Sequence, residues 1–277
     1  MEKEYQNEKA FLADYHEDQF KKLSLTTDIL VFSVADSLND NYRRLPEKHF
    51  SVLLVKRDNY PFKDKWCLPG GFLRIDEDIE AAPKRVLAKE TNLHDIYLEQ
   101  LYTFGDVNRD PRLRVINTAY LALVDKNRIQ EELLANAAWF NITQKESADQ
   151  IIMTLKNRFT SFTFTACKVF NQHHPDIYDY RITENSLLAF DNALVLMVGI
   201  ERLRNKINYT NIVFNMMPEY FTLKELQQVY EIILDRKLLD PAFRRMIAEK
   251  VLKTDRYRRG GGHRPSALYK YRKPQMK

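Results

Sequence analysis

A chain of 277 residues is long enough for one well-buried core and a smaller second one, and 44% apolar with 29% charged residues describes an ordinary soluble globular protein. Cys67 and Cys167 form neither a disulfide framework nor a C-x-x-C pair. The charged start MEKEYQNEKAF lacks the apolar stretch of a signal peptide, and the longest apolar run, ALVLMVGI at 193–200, is too short to span a bilayer. These features predict a cytoplasmic protein with no membrane partner. The net charge of +5 is unevenly spread. Residues 236–277 hold fourteen Lys or Arg against three acids, while the rest of the chain sums to −6. A solvated basic tail is one reading, and a segment built to meet a polyanion is the stronger one.

In chain order, residues 1–22 are polar with scattered aromatics and predict a short helix or arm. TTDILVFSVAD (26–36) and HFSVLLVKRD (49–58), rich in Val, Ile, Leu and Phe, predict two strands, the second stopped by charge and by the turn-forming NYPF. LEQLYTFGDV (98–107) and RVINTAYLALV (114–124) predict two more, joined by the polar turn NRDPRL. A mixed sheet carrying one or two helices accounts for residues 25–140.

Between these strand pairs lies WCLPGGFLRIDEDIEAAPKRVLAKETNL (66–93). Gly71, Glu77, Arg85, Leu87, Glu90 and Leu93 fall at the spacing of the Nudix hydrolase signature, which this stretch resembles. That resemblance implies Mg²⁺ held on a helix, bridging a pyrophosphate and helping to activate water. Three positions depart from it: Val86, Lys89 and Asn92 stand where the signature has Glu, Glu and Gly. Positions 86, 89 and 90 share one helical face, where three carboxylates would make the oxygen-rich surface that Mg²⁺ prefers. Here the face offers an isopropyl group, an ammonium and one carboxylate. Glu77 and Glu90 are the residual candidates for catalysis or metal binding, so neither role is expected, no cofactor is required, and Mg²⁺ matters only if hydrolysis survives. Pro83 adds a question: with Asp78 as N-cap it falls at N5, so the helix is either kinked or starts later.

A binding pocket is what remains. GDVNRDPRLRV (105–115) places Asp106, Arg109, Asp110, Arg112 and Arg114 between two strands, and Lys89 can replace a metal's charge by pairing directly with phosphate. As a group they point to an anionic, nucleotide-like ligand; taken singly, each also fits a surface salt-bridge turn.

ADQIIMTLKNRF, within 143–185, predicts a helix, and SFTFTACKVF alternates like a strand. From Asn185 to Lys206 the spacing of Leu188, Ala189, Asn192, Leu196 and Gly199 predicts one long helix that joins domains, supports a dimer or completes the first core.

FTLKELQQVYEIIL (221–234) opens on Thr222 with Glu225 three residues later, a capping box, and carries the stripe Leu223, Leu226, Val229, Tyr230 and Ile233. Asp240 and Pro241 then supply N-cap and N1 for a helix over 241–252, with Phe243, Met246 and Ile247 inward and Arg244, Arg245 and Lys250 left for the opposite surface. RYRRGGGHRPSALYKY (256–271) predicts a glycine-tipped basic hairpin carrying Arg259, His263 and Arg264. Helix, turn, helix and basic hairpin make a winged helix, in which helix arginines reach base edges of double-stranded DNA and the wing meets phosphate. RNA is the weaker alternative, since interleaved stacking aromatics are few.

The predicted architecture is therefore α/β: a Nudix-like α/β/α sandwich with a mixed sheet over 1–207, followed by a winged helix-turn-helix domain over 208–277. End to end, this order of pieces resembles the Nudix-related transcriptional regulators. The resemblance rests on WCLPGGFL (66–73), the altered box through Leu93, GDVNRDPRLRVINTAYLAL (105–123), residues 188–234 and GGGHRPSALYKY (260–271). It implies a homodimer on operator DNA whose affinity is set by a small phosphorylated effector such as ADP-ribose. Known members include repressors of NAD metabolism and controllers of sugar-utilisation genes. The alternative is a Mg²⁺-dependent pyrophosphatase acting on ADP-ribose or a nucleoside diphosphate sugar.

Overall fold

The computed structural model describes residues 22–36, 48–126, 129, 132–147, 150–171, 174–258 and 265–273, the side chains of 171–178 excepted. Ten strands make one sheet: β1 (Ser24–Asp36), β2 (Lys48–Lys56), β3 (Trp66–Cys67), β4 (Gly70–Phe72), β5 (Tyr97–Phe104), β6 (Val115–Val124), β7 (Ala137–Glu146), β8 (Ile151–Lys156), β9 (Ser161–Asn171) and β10 (His174–Asn185). Its order is β10-β9-β8-β7-β2-β1-β6-β5, with β3 paired to β2 and β4 to β1. Among the described strand pairs only β1–β6 is parallel, so the sheet is mixed, as expected.

The strand period of two sorts β1 between two cores. Ile29 and Val31 pack on Val86 and Leu87 of helix α1 (Ala82–Thr91). Leu30 and Phe32 face the other way, into a larger core that takes in helix α2 (Asn192–Lys206) and helix α3 (Leu223–Leu234). The result is an α/β/α sandwich. Its larger core runs on without a break through Tyr230, Phe243 and Ile247, so the C-terminal unit is seated on the sheet.

The helix α1 begins at Ala82, which settles the question raised by Pro83: the proline lies in the first turn, where its missing N–H has no intrahelical partner to lose. At the other end Asn92 adopts φ 62°, ψ 25° and donates its backbone N–H to the Ala88 carbonyl. This is the left-handed cap for which glycine is favoured and asparagine is the next choice, so the change from the signature's glycine keeps the helix end.

Two expectations in 143–206 are corrected. The stretch expected as a helix around ADQIIMTLKNRF forms β8: Ile151, Met153 and Leu155 are buried while Ile152 and Lys156 are exposed, a period of two rather than 3.6. With β9 and β10 it lengthens the sheet beyond β7. The long helix expected from Asn185 starts only at Asn192. Asn185 caps a turn by bonding both the N–H and the carbonyl of Leu188 (3.0 and 2.9 Å), and Trp66 bridges to Leu188, so this stretch is already committed elsewhere.

After a short 3-10 helix (Ile212–Met216), α3 starts on the expected capping box: the Thr222 hydroxyl accepts from Glu225 N, and the Glu225 carboxylate accepts from Thr222 N. Thr222→Ala should cost about 1 kcal/mol, measurable as a lower urea midpoint with an unchanged slope. Buried Gln227 then fixes the following turn, donating to the Leu238 carbonyl (2.9 Å) and to Asp240 Oδ1 (2.8 Å).

Helix α4 (Asp240–Ile247) is shorter than expected and starts one residue earlier, with Leu239 at the N-cap and Asp240 in the first turn. It stops at Ile247 because Val251 must pair with Tyr271 to open the hairpin β11 (Val251–Arg258) and β12 (Ser266–Tyr271). Phe243 and Ile247 are buried as expected, but Met246 is exposed. The hairpin tip, with Arg259, Gly260, Gly261, Gly262, His263 and Arg264, lies outside the described residues, as does the N-terminal arm through residue 21.

Candidate functional site

A cleft opens where the β1–β4 pairing, the turn after β5 and the start of α2 meet, lined among others by Asp28, Arg57, Phe72, Arg109, Arg112 and Phe190. On its floor Arg109, with a side chain only 4% exposed, grips two carboxylates. Its Nε and Nη2 donate to the two oxygens of Asp191 at 2.9 and 2.7 Å, and Nη2 lies 3.5 Å from Asp28 Oδ2. Asn192 ties the start of α2 to the glycine turn, its Oδ1 accepting from Leu68 N at 2.8 Å. Gly70 faces Asp28 in the β1–β4 register, and a Cβ there would sit 2.3 Å from Asp28 Oδ1, so only glycine lets the acid and the turn share this space.

Burial is the main force on Asp28 and pushes its carboxyl up to about 7, against the pull of Arg109. The folded chain therefore holds a proton here that the unfolded chain releases near 4. The stability linked to this group is full at acid pH and is lost as pH rises from about 4 through about 7. Asp28→Asn should flatten that fall, with a urea midpoint that gains on the wild type as pH rises across this window. Parallel pH profiles for the two proteins would contradict the assignment.

The rim pairs cations with aromatic rings. Arg57 lies 4.9 Å from the Phe190 ring centre, and Arg112 lies 5.2 Å from that of Phe72 and 5.9 Å from that of Phe190. Phe62 meets Phe190 edge-on at 4.8 Å. Arg112 is held by Asp110 through bonds of 3.0 and 2.8 Å, which keep the Asp110 carboxyl below its usual range.

Of the ligand residues expected from sequence, Arg109, Asp110 and Arg112 line this cleft. Asp106 and Arg114 instead brace the loop, Arg114 Nη1 donating to the Asp106 carbonyl at 2.7 Å. Lys89 is not with them. Its side chain is 73% exposed on α1, across the sheet, and lies 3.4 Å from Glu90. Asp28, Arg57, Phe72, Phe190, Asp191 and Asn192 were not anticipated. An acid inside the apolar run TTDILVF and another opening an apolar helix in AFDNALVL were the available signals.

The α1 face does not suit Mg²⁺. Val86 is buried, and its Cγ2 would be 3.1 Å from a Cβ on Gly71. Glu77 is locked to Arg85 by bonds of 2.5 and 2.6 Å and accepts a third from Arg74 N, which holds its carboxyl below the usual range. Glu90 has the Lys89 ammonium beside it. Glu77 and Glu90 are thus both engaged with cations.

In the C-terminal unit, α4 exposes Arg244 and Arg245. Lys250 is corrected: it lies beyond the helix end, and its Nζ turns inward to the Thr210 carbonyl at 3.2 Å, with burial lowering its pKa. The hairpin is joined to the start of α3 by a Phe221–Tyr269 bridge and by an ion pair between Arg258 and Glu225. Arg256 sits 4.2 Å from the Tyr220 ring centre, and Tyr257 is exposed beside it.

Over 272 residues the chain is 30% identical to the ADPR responsive transcriptional repressor NtrR of Acinetobacter baylyi, covering 96% of this chain and 89% of that one. The chain belongs to the NrtR family of Nudix-related transcriptional regulators. Residues 40–154 match the NUDIX domain, and residues 213–271 match the NrtR DNA-binding winged helix domain. Among solved structures, Shewanella oneidensis NrtR complexed with a 27mer DNA superposes with a TM-score of 0.62 at 27% identity, over 90% of this chain and 93% of that one. A MutT/nudix family protein from Enterococcus faecalis shares the fold, with a TM-score of 0.69 at 22% identity over 95% and 91%. The matched winged helix spans the 3-10 helix through β12, so the NrtR-type unit includes α4 and the hairpin as one module.

Proposed function

We propose that this protein is an ADP-ribose-responsive transcriptional repressor. Its winged helix holds operator DNA, and its Nudix domain holds ADP-ribose, which weakens that hold. The observation that carries the reading is a division within the Nudix domain. The metal face of α1 is filled by Val86, Lys89 and the Glu77–Arg85 pair, while the cleft keeps Arg57, Arg109 and Arg112, with the rings of Phe72 and Phe190 beside Arg57 and Arg112. Guanidinium groups match the oxygens of a diphosphate, and rings beside them suit a nucleoside. Binding without turnover suits a sensor, because a hydrolysed ligand would erase its own signal. No cofactor is needed for this role.

Arg244 and Arg245 are assigned to base contacts, and the wing tip with Arg259, His263 and Arg264 to phosphate or the minor groove. The protein acts in the cytoplasm as a homodimer, since one winged helix makes few contacts and a second half-site multiplies affinity and specificity. No helix among the described residues is long and apolar enough to cross a membrane.

A mobility-shift titration on the DNA flanking its own gene tests this reading, with ADP-ribose compared against AMP and ribose 5-phosphate. ADP-ribose alone should release the DNA, and sedimentation should give a dimer. Release by none of the three, or efficient cleavage of ADP-ribose by catalytic amounts of protein in Mg²⁺, would overturn it.

A further inference from the structure

We infer that the Arg109–Asp191 ion pair is a latch through which the ligand cleft sets the position of the winged helix, with α2 as the connecting rod. The inference rests on the effector-controlled repressor reading above and adds the residues that couple its two sites.

The two ends of α2 touch the two functional regions. Asp191 immediately precedes the helix and is gripped in bidentate fashion by Arg109, and Asn192, its first residue, holds the Leu68 amide of the glycine turn. In its last turn the helix meets the C-terminal unit. There Arg204 Nε donates to the Ile233 carbonyl at 2.8 Å, in the last turn of α3, and its Nη1 donates to Gln144 Oε1 at 3.0 Å. Between these ends Gly199 lets the helix lie against β1: a Cβ there would come within 2.7 Å of Leu30 Cδ1. A packed helix of this length moves as one body, so a displacement of its first turn is felt at its last.

The cleft supplies the displacement. Its volume is about 160 Å³, below the roughly 300–1,000 Å³ of pockets that enclose drug-sized ligands. A diphosphate seated in so small a cleft lies against Arg109 on its floor, the group whose chemistry a phosphate competes for. When phosphate takes the guanidinium, Asp191 becomes a nearly buried carboxylate without its cation, next to a second anion. That arrangement is relieved when the start of α2 moves outward, carrying Arg204 and α3 with it. The effector thus favours the unlatched geometry and the operator the latched one, which is the differential affinity that coupling requires.

Asp191→Asn tests the latch, because asparagine keeps the size of the side chain, which makes no cap bond to the helix, but loses the charge that holds Arg109. Operator affinity is read by fluorescence anisotropy with and without ADP-ribose, and ADP-ribose binding by calorimetry. The variant should bind ADP-ribose at least as well as the wild type. Without effector it should bind operator about tenfold more weakly, and added effector should change this by less than about twofold; tenfold corresponds to about 1.4 kcal/mol of coupling. Arg204→Gln, at the far end of α2 and away from the cleft, should leave ADP-ribose affinity unchanged and shrink the operator response in the same way. A wild-type response to ADP-ribose together with wild-type behaviour of Asp191→Asn would overturn the latch and leave the repressor reading intact. If Asp191→Asn does not fold, an undiminished response in Arg204→Gln overturns it equally. A wild type whose operator binding ignores ADP-ribose would remove the repressor reading, and the latch with it.

Discussion

Replacing Arg244 and Arg245 together with alanine should erase the preference for operator over unrelated DNA while leaving the protein folded and able to bind ADP-ribose. Both side chains are exposed on α4, whose buried edge is Phe243 and Ile247, so their removal opens no cavity. A well-placed arginine–guanine contact is worth about 1–3 kcal/mol of discrimination against the wrong base, and two such losses are enough to bring specific affinity close to the non-specific level. Anisotropy with operator and scrambled duplexes at one fixed salt concentration reads the effect. Changes at the wing tip, by contrast, should weaken both duplexes together and flatten the dependence on salt, because phosphate contacts carry no sequence information. A double variant that still prefers its operator would place base recognition on another element.

Phe243→Ala should have the largest effect on stability, a loss of about 3–5 kcal/mol, because it empties the space behind α4. Phe243 is 2% exposed and meets the Tyr230 ring edge-on at 5.5 Å, and Tyr230 is itself fully buried in α3. The larger core is continuous from β1 through these residues, so the loss should register in the unfolding of the whole chain rather than as a separate early transition of the C-terminal unit. Chemical denaturation followed both by tryptophan fluorescence, with Trp66 and Trp139 in the Nudix domain, and by far-ultraviolet circular dichroism checks this. Coincident curves shifted to lower denaturant are expected. An early, separate transition in the dichroism alone would show that the winged helix is an independent cooperative unit.

Much of this was visible in the sequence wherever the signal was local. The β-branched runs at 26–36, 49–58 and 114–124 are strands, and the Thr222–Glu225 capping box opens α3 where the residue types place it. Signals failed where distant neighbours decided. The six residues of β8 fit a helical or an extended pattern equally well until β7 and β9 flank them, and α4 ends at Ile247 because Val251 is claimed by a strand twenty residues further on. The helical spacing from Asn185 becomes a helix only from Asn192, since Leu188 is held by Trp66.

The cleft shows the same limit. The arginines of 105–115 announced an anionic ligand, but their partners are supplied from afar: Arg109 pairs with Asp28 and Asp191 across 81 and 82 positions of sequence. The altered box groups Lys89 with them, as a cation in place of a metal. Alternation along β1 instead puts Asp28 and α1 on opposite faces of the sheet, and Lys89 goes with α1.

The central claim, a repressor that senses ADP-ribose without consuming it, is tested most directly by following operator anisotropy over time. A small amount of protein is given excess ADP-ribose in the presence of Mg²⁺. The anisotropy should fall as DNA is released and stay low for hours. An anisotropy that never falls, or that falls and then recovers as the ligand is hydrolysed, would contradict the claim.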